Sequence, residues 1–115
     1  MIIFDLDGTL ADIEHRRHLV SDGNDKWDEF YEACVDDTPN YPAIMTLAAL
    51  VNAGHEVAIW SGRSDQVRPQ TERWLNKYIR VYLSKSQPGP YLTMRPHKDY
   101  TPDDELKRGW LANMR

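Results

Sequence analysis

Apolar and polar residues fall in blocks whose period changes along the chain, and the changes predict alternating strands and helices. Met1-Ile2-Ile3-Phe4 followed by Leu6 predicts a strand from Ile2 to Leu6. Trp27, Phe30, Tyr31 and Cys34 fall at i, i+3, i+4 and i+7, the stripe of an amphipathic helix expected to pack into the core. Asp25 sits near its start, where a carboxylate suits the helix dipole. Pro42 opens a helix through Ala53, with Ile44, Leu47, Ala48 and Val51 on one face and Gly54 as its stop. Val57 to Trp60 are consecutive apolar residues, which predicts a parallel strand covered on both faces. Asp65 to Tyr78 predicts a helix with Val67, Trp74 and Leu75 inward and Pro69 in its first turn. Ile79 to Leu83 fits no single element. Ser84 to Pro90 is a polar loop broken by Pro and Gly, and Tyr91 to Met94 predicts a third strand. Thr101 as N-cap and Pro102 at the first helical position lead into a last helix through Asn113.

This βαβαβα order predicts an α/β fold in three layers around a mainly parallel sheet, with the C-terminal ends of the strands side by side. The segment from Asp12 to Tyr41 is a small helical insertion after the first strand. Composition adds exclusions. The 115 residues suffice for one domain with its own core, and a net charge of −4 leaves no global basic field to hold a nucleic acid backbone. The single cysteine, Cys34, has no partner within the chain and reads as core filler, as suits a reducing compartment. No apolar run approaches a membrane span and no signal peptide precedes the first strand, so a soluble, cytoplasmic protein is expected.

The chemistry gathers where the first strand ends, in Asp5-Leu6-Asp7-Gly8-Thr9-Leu10. Residues i and i+2 of a strand share a face, and a turn at Gly8 bends the chain away, so both carboxylates can address one crevice. One acid can attack phosphorus while the other protonates the leaving oxygen, and a hard divalent cation on oxygen ligands can neutralise the charge between them. Spacing alone does not say which attacks. At the mouth of the second strand Ser61 offers a hydroxyl and Gly62 an unobstructed backbone to phosphate oxygens. Arg63 directly after them is expected as an exposed fork gripping phosphate or sugar, so that losing it harms substrate use far more than stability. His15-Arg16-Arg17-His18 is a poor metal site, because two cations separate its histidines. Arg95, His97 and Lys98 form a second basic cluster beyond the third strand.

The Asp-x-Asp-Gly-Thr-Leu run resembles the first motif of the haloacid dehalogenase (HAD) phosphatase superfamily. Val57 to Arg63 resembles its second motif, and Asp103-Asp104-Glu105-Leu106-Lys107 its third. Ser-Gly-Arg with a late Asp-x-x-x-Lys points further, to the 3′-phosphatase domain of phage-type polynucleotide kinases. The resemblance implies a HAD-like Rossmannoid fold, Asp5 as nucleophile, Asp7 as general acid and base, and Mg²⁺ held by Asp5 and Asp7. It implies catalytic roles for Ser61 and Lys107, with Asp103 one helical turn earlier to hold the lysine. Thr9, Arg16, Gly62, Arg63 and Asp103 are the implied substrate residues, Arg17 being a near substitute for Arg16. A fourth motif, a strand ending in Asp-Asp, is implied about one βα unit past Lys107, and the chain ends at Arg115 before it. On that reading the chain by itself binds Mg²⁺ poorly and is weakly active. An insertion too small to seal the crevice favours 3′-phosphates on nucleic acid ends as substrate. A nucleoside monophosphatase acting on free nucleotides and a truncated, non-catalytic binding module are the alternatives.

Overall fold

A computed structural model describes residues 1–114. In chain order its elements are β1 (Ile2–Asp5), β2 (Ala11–Asp12), α1 (Trp27–Glu32), β3 (Thr38–Pro39), α2 (Tyr41–Asn52), β4 (Val57–Ser64), α3 (Arg68–Tyr78), β5 (Tyr91–Arg95) and α4 (Asp103–Asn113). The main sheet is parallel in the order β1-β4-β5, with Ile2 opposite Val57 and Ala58 opposite Tyr91. Its centre, β4, is the most buried strand, as expected for a strand covered on both faces. Alternation along β4 sorts the layers. Val57 and Ile59 join Ile44, Leu47 and Val51 of α2 and Trp74 and Leu75 of α3 in the main core. On the opposite face Trp60 meets Trp110 of α4 edge to face, with ring centroids 5.6 Å apart. Helices thus cover both faces of the sheet.

All four residues assigned to the inner face of α2 are buried, and so are Val67, Trp74 and Leu75. Gly54 ends α2 with φ +93°, a conformation that a side chain would strain. Four local expectations change. β4 runs on to Ser64, because a bulge after Ser61 lets Ser64 pair with Arg95. Ile79 to Leu83 resolves into a short 3₁₀ turn, Arg80–Tyr82, that follows the buried Ile79. α4 begins one residue later in its cap than expected. Pro102 holds the N-cap position, and Thr101 instead donates its hydroxyl and its N–H to Asp99 Oδ1, at 2.6 and 3.0 Å. The stripe from Trp27 to Cys34 is only partly core: Cys34 and Phe30 are buried, but Trp27 is 48 % exposed. Burial pushes the Cys34 thiol above its ordinary value, which leaves it unreactive at neutral pH.

β2 and β3 pair antiparallel, Ala11 opposite Pro39 and Asp12 opposite Thr38, and pinch the insertion off at its base. Asn40 fastens that base to the motif turn, donating from its amide side chain to the Thr9 carbonyl at 2.8 Å and from its N–H to the Leu10 carbonyl at 2.9 Å. Among the described residues no helix is long and apolar enough to cross a membrane.

Candidate active site

The turn after β1 sorts its side chains by the hydrogen bonds it needs. The Leu6 carbonyl accepts from the N–H groups of both Leu10 and Ala11 at 2.9 Å, and Gly8 takes φ +82° to close the turn. Leu6 and Leu10 therefore drop into the core, fully buried. Asp5 and Asp7 are left lining one cleft of about 440 Å³ together with Lys107, Gly62 and Asp103. The two carboxylates converge as their spacing predicts, and their surroundings differ.

Asp5 stands at the end of β1 with its side chain 47 % exposed, and its Oδ1 receives the Lys107 ammonium at 2.8 Å. Asp103, one turn earlier on α4, holds the same ammonium at 3.0 Å. Burial disfavours the charge on Lys107, but hydrogen bonds to Asp5 and Asp103 outweigh it and raise its pKa above the ordinary lysine value. The stability this pairing contributes is intact below that ordinary value and is lost as pH rises through the raised one. Lys107 is therefore an ammonium across the neutral range. Asp103 presses on Gly62 so closely that a Cβ there would overlap its carboxylate. Gly62→Ala should displace Asp103, slacken Lys107 and lower kcat by about 10-fold or more, while a half-buried strand end with no core contact costs little stability. Unchanged kcat in Gly62→Ala would detach this contact from the chemistry.

Asp7 belongs to a buried ionic network. Its Oδ1 accepts from Arg63 NH2 at 2.7 Å, Arg63 Nε at 3.0 Å and Arg16 NH2 at 3.1 Å. Both arginines also bind Asp37, which is fully buried at its side chain: Arg16 through Nε at 2.8 Å and NH2 at 2.9 Å, Arg63 through NH2 at 2.7 Å. His15 Nε2 lies 2.7 Å from Asp37 Oδ1. Two guanidinium groups thus face two carboxylates, which is how charges survive burial. Burial works against the Arg63 charge, but the Asp7 carboxylate outweighs it and raises the pKa, so Arg63 stays charged.

These contacts correct the picture of Arg16 and Arg63 as free ligand-gripping forks. Both are fully buried, and their donors are directed at Asp7, Asp37, the Phe30 carbonyl and the Thr71 hydroxyl. Arg16 also lies 4.2 Å over the Phe30 ring. Arg17, with its side chain 62 % exposed, pairs only with Glu14 and lies outside the network. Ser61 is corrected too: it is fully buried, and its Oγ accepts from the Arg63 N–H at 3.1 Å, so it shapes the turn instead of facing the cleft. Thr9 lines a separate depression with Gly8 and Asn40, away from Asp5. Asp37 was not legible in the sequence. No motif marks it, and the need for a second anion arises only once the fold buries Arg16 and Arg63 around Asp7. Arg95, on the cleft rim, is spent on structure, donating to the carbonyls of Gly62, Asp99 and Thr101.

No group of three or more metal-ligating side chains occurs among the described residues. Asp5 nevertheless presents a half-exposed carboxylate whose Oδ2 accepts no hydrogen bond from them. That fits a cation of the Mg²⁺ type, which takes one or two protein oxygens and keeps water and substrate phosphate as its other ligands.

A parallel three-layer α/β fold with this aspartate pair and a lysine from the last helix defines a HAD-type phosphatase domain. Residues 1–114 match the family model of the polynucleotide kinase PNKP phosphatase domain, and the chain belongs to that family. Among solved structures it is similar to a chain of a Pnkp1/Rnl/Hen1 complex, with 30% identity, TM-score 0.71, and coverage of 96% of this chain and 33% of that one. A chain of a Pnkp1/Rnl/Hen1 RNA repair complex matches with 29% identity, TM-score 0.71, and coverage of 98% and 31%. This chain therefore spans about a third of the length of the solved chains it matches. No curated protein sequence matches it.

Proposed function

We propose that the chain is a Mg²⁺-dependent phosphomonoester hydrolase that removes 3′-phosphates from polynucleotide ends through an aspartyl-phosphate. The observation that carries this reading is the unequal setting of the two acids. Asp5 is half-exposed with one oxygen unengaged, as a nucleophile must be, whereas Asp7 is held in place by two buried arginines. Asp5 attacks phosphorus, and the bond from phosphorus to the ribose oxygen breaks. Asp7 takes up a proton from solvent at Oδ2, the oxygen touched only by Arg63 Nε at 3.4 Å, and passes it to the departing ribose oxygen. It then takes a proton from the water that hydrolyses the acyl phosphate, which frees Asp5 and inorganic phosphate. Lys107 balances charge on Asp5 and the phosphoryl oxygens, with Asp103 positioning it. Mg²⁺, held by the Asp5 carboxylate and the Asp7 main-chain carbonyl, would neutralise phosphoryl charge. Arg16, Arg63 and Asp37 fix Asp7 and do not touch substrate on this reading.

The deciding assay is phosphate release with Mg²⁺ from a 3′-phosphorylated oligonucleotide, set against a 5′-phosphorylated one and a mononucleotide. The 3′-end should be preferred, with activity falling as salt rises because the substrate is a polyanion. Equal rates on all three, or no salt dependence, would favour a nucleotide monophosphatase. In the main sheet of the described residues β1 is paired on one side only, to β4. A strand ending in carboxylates beside its free edge would supply the further metal ligand that the fourth motif implies, and adding one should tighten Mg²⁺ binding.

A further inference from the structure

Trp27 is left over from both the core and the chemistry. It shares a helical stripe with buried Phe30 and Cys34, yet it is 48 % exposed and lines the same cleft as Asp5 and Lys107. Its indole does not swing freely. Phe30 meets it edge to face at 5.6 Å, and Tyr31 lies tilted beside it at 6.0 Å. Tyr31 is itself tied to the turn after β4, its hydroxyl donating to the Gly62 carbonyl at 3.5 Å. A large aromatic face is therefore held ready in a cleft of about 440 Å³, room for a small organic ligand and more than a phosphoryl group fills.

The same cleft carries exposed His97 and Lys98, beside the charge of the immobilised Arg95. The Lys98 ammonium and the Arg95 charge next to an aromatic platform, on a chain of net charge −4, are the combination that holds single-stranded nucleic acid: bases stack on the ring, the backbone follows the charge, and the His97 ring offers it a hydrogen-bond partner. An apolar peptide would leave that charge unanswered. We infer that Trp27 stacks the base of the 3′-terminal nucleotide of a single strand, while His97 and Lys98 receive the phosphodiester behind it. The inference rests on the proposed 3′-phosphatase reading and adds to it the residue that recognises the nucleotide. It also explains why the insertion ends up as one wall of the cleft: the insertion carries the base platform as well as Arg16.

The test separates binding from turnover by using the Asp5→Asn protein, which binds without hydrolysis. Adding a 3′-phosphorylated single-stranded trinucleotide should quench tryptophan fluorescence. Trp27→Ala in the same background should abolish the quench and weaken affinity roughly 10- to 100-fold, the usual effect of removing one base-stacking ring, with Trp27→Phe keeping much of the affinity. The same trinucleotide with an abasic 3′-terminal sugar should bind the parent about as weakly as the normal one binds Trp27→Ala. A 3′-mononucleotide should bind more weakly than the trinucleotide, and His97→Ala with Lys98→Ala should remove that difference. Full affinity in a folded Trp27→Ala protein, full affinity for the abasic end, or equal quenching by an apolar peptide would each overturn the inference. Failure of the wild-type protein to release phosphate from any 3′-end would instead overturn the proposed reaction, with the stacking still decided by these affinities.

Discussion

Phosphate release is expected to disappear in the Asp5→Asn protein, by more than about 10⁴-fold, because the amide cannot form the acyl phosphate. The fold should hardly notice. Asp5 is half-exposed and its one ion pair, to Lys107, belongs to the class worth about 1 kcal/mol or less. Asp7→Asn should also lose turnover, by about 10² to 10⁴-fold, as expected for removing general acid-base help. The two variants then part company in thermal unfolding. Asp7→Asn leaves two buried guanidinium groups with the single counter-charge of Asp37, so its melting temperature should fall clearly below that of Asp5→Asn. Wild-type turnover in either variant would sink the assignment of roles. Equal melting would show that the network does not depend on the Asp7 charge.

Arg63→Ala should be the most destabilising polar substitution in the chain, by about 3–5 kcal/mol, since it strands buried Asp37 and Asp7 and leaves a cavity. For a domain of this size that corresponds to a melting temperature lower by about 10 °C or more. Activity should fall on every phosphate ester, because Asp7 loses its anchor, and not on polynucleotides alone. Arg17→Ala is the control: its pair with Glu14 is exposed, and its melting should match the wild type. A double variant, Arg63→Met with Asp37→Leu, should cost less than the sum of its parts, because partners removed together leave no unpaired charge. Circular dichroism melts of these proteins decide the matter, and an Arg63→Ala protein as stable as Arg17→Ala would show that the network contributes nothing.

The reading of Arg63 is also where sequence and structure diverge most. From the sequence, an arginine after Ser-Gly at a strand mouth is a free fork aimed at substrate. In the fold its donors are directed at Asp7, Asp37 and Thr71. Ser61 turns inward for a related reason, since its hydroxyl is taken by the N–H of Arg63 in the bulged end of β4. Trp27 goes the other way, from expected core residue to cleft wall. Its helix ends at Glu32 after 6 residues and continues as a 3₁₀ turn, so the stripe never presents one continuous face.

The sequence by itself determined the parts whose causes are local. The apolar run of β4, the inner face of α2, the Gly8 turn and the convergence of Asp5 with Asp7 follow from backbone periods and from single residues that permit a turn. The Asp103-Lys107 pair is equally local, four residues apart on one helix. Only the tertiary structure decided which cations meet which anions. Asp37 joins Arg16 across 21 residues and Arg63 across 26, and Lys107 reaches Asp5 across 102. The physical reason is that a charge pair is set by distance and desolvation, which spacing along the chain does not encode. Arg16 and Arg17 are neighbours of the same type, and only the closing of the insertion by β2 and β3 buries one beside Asp37 and leaves the other in water.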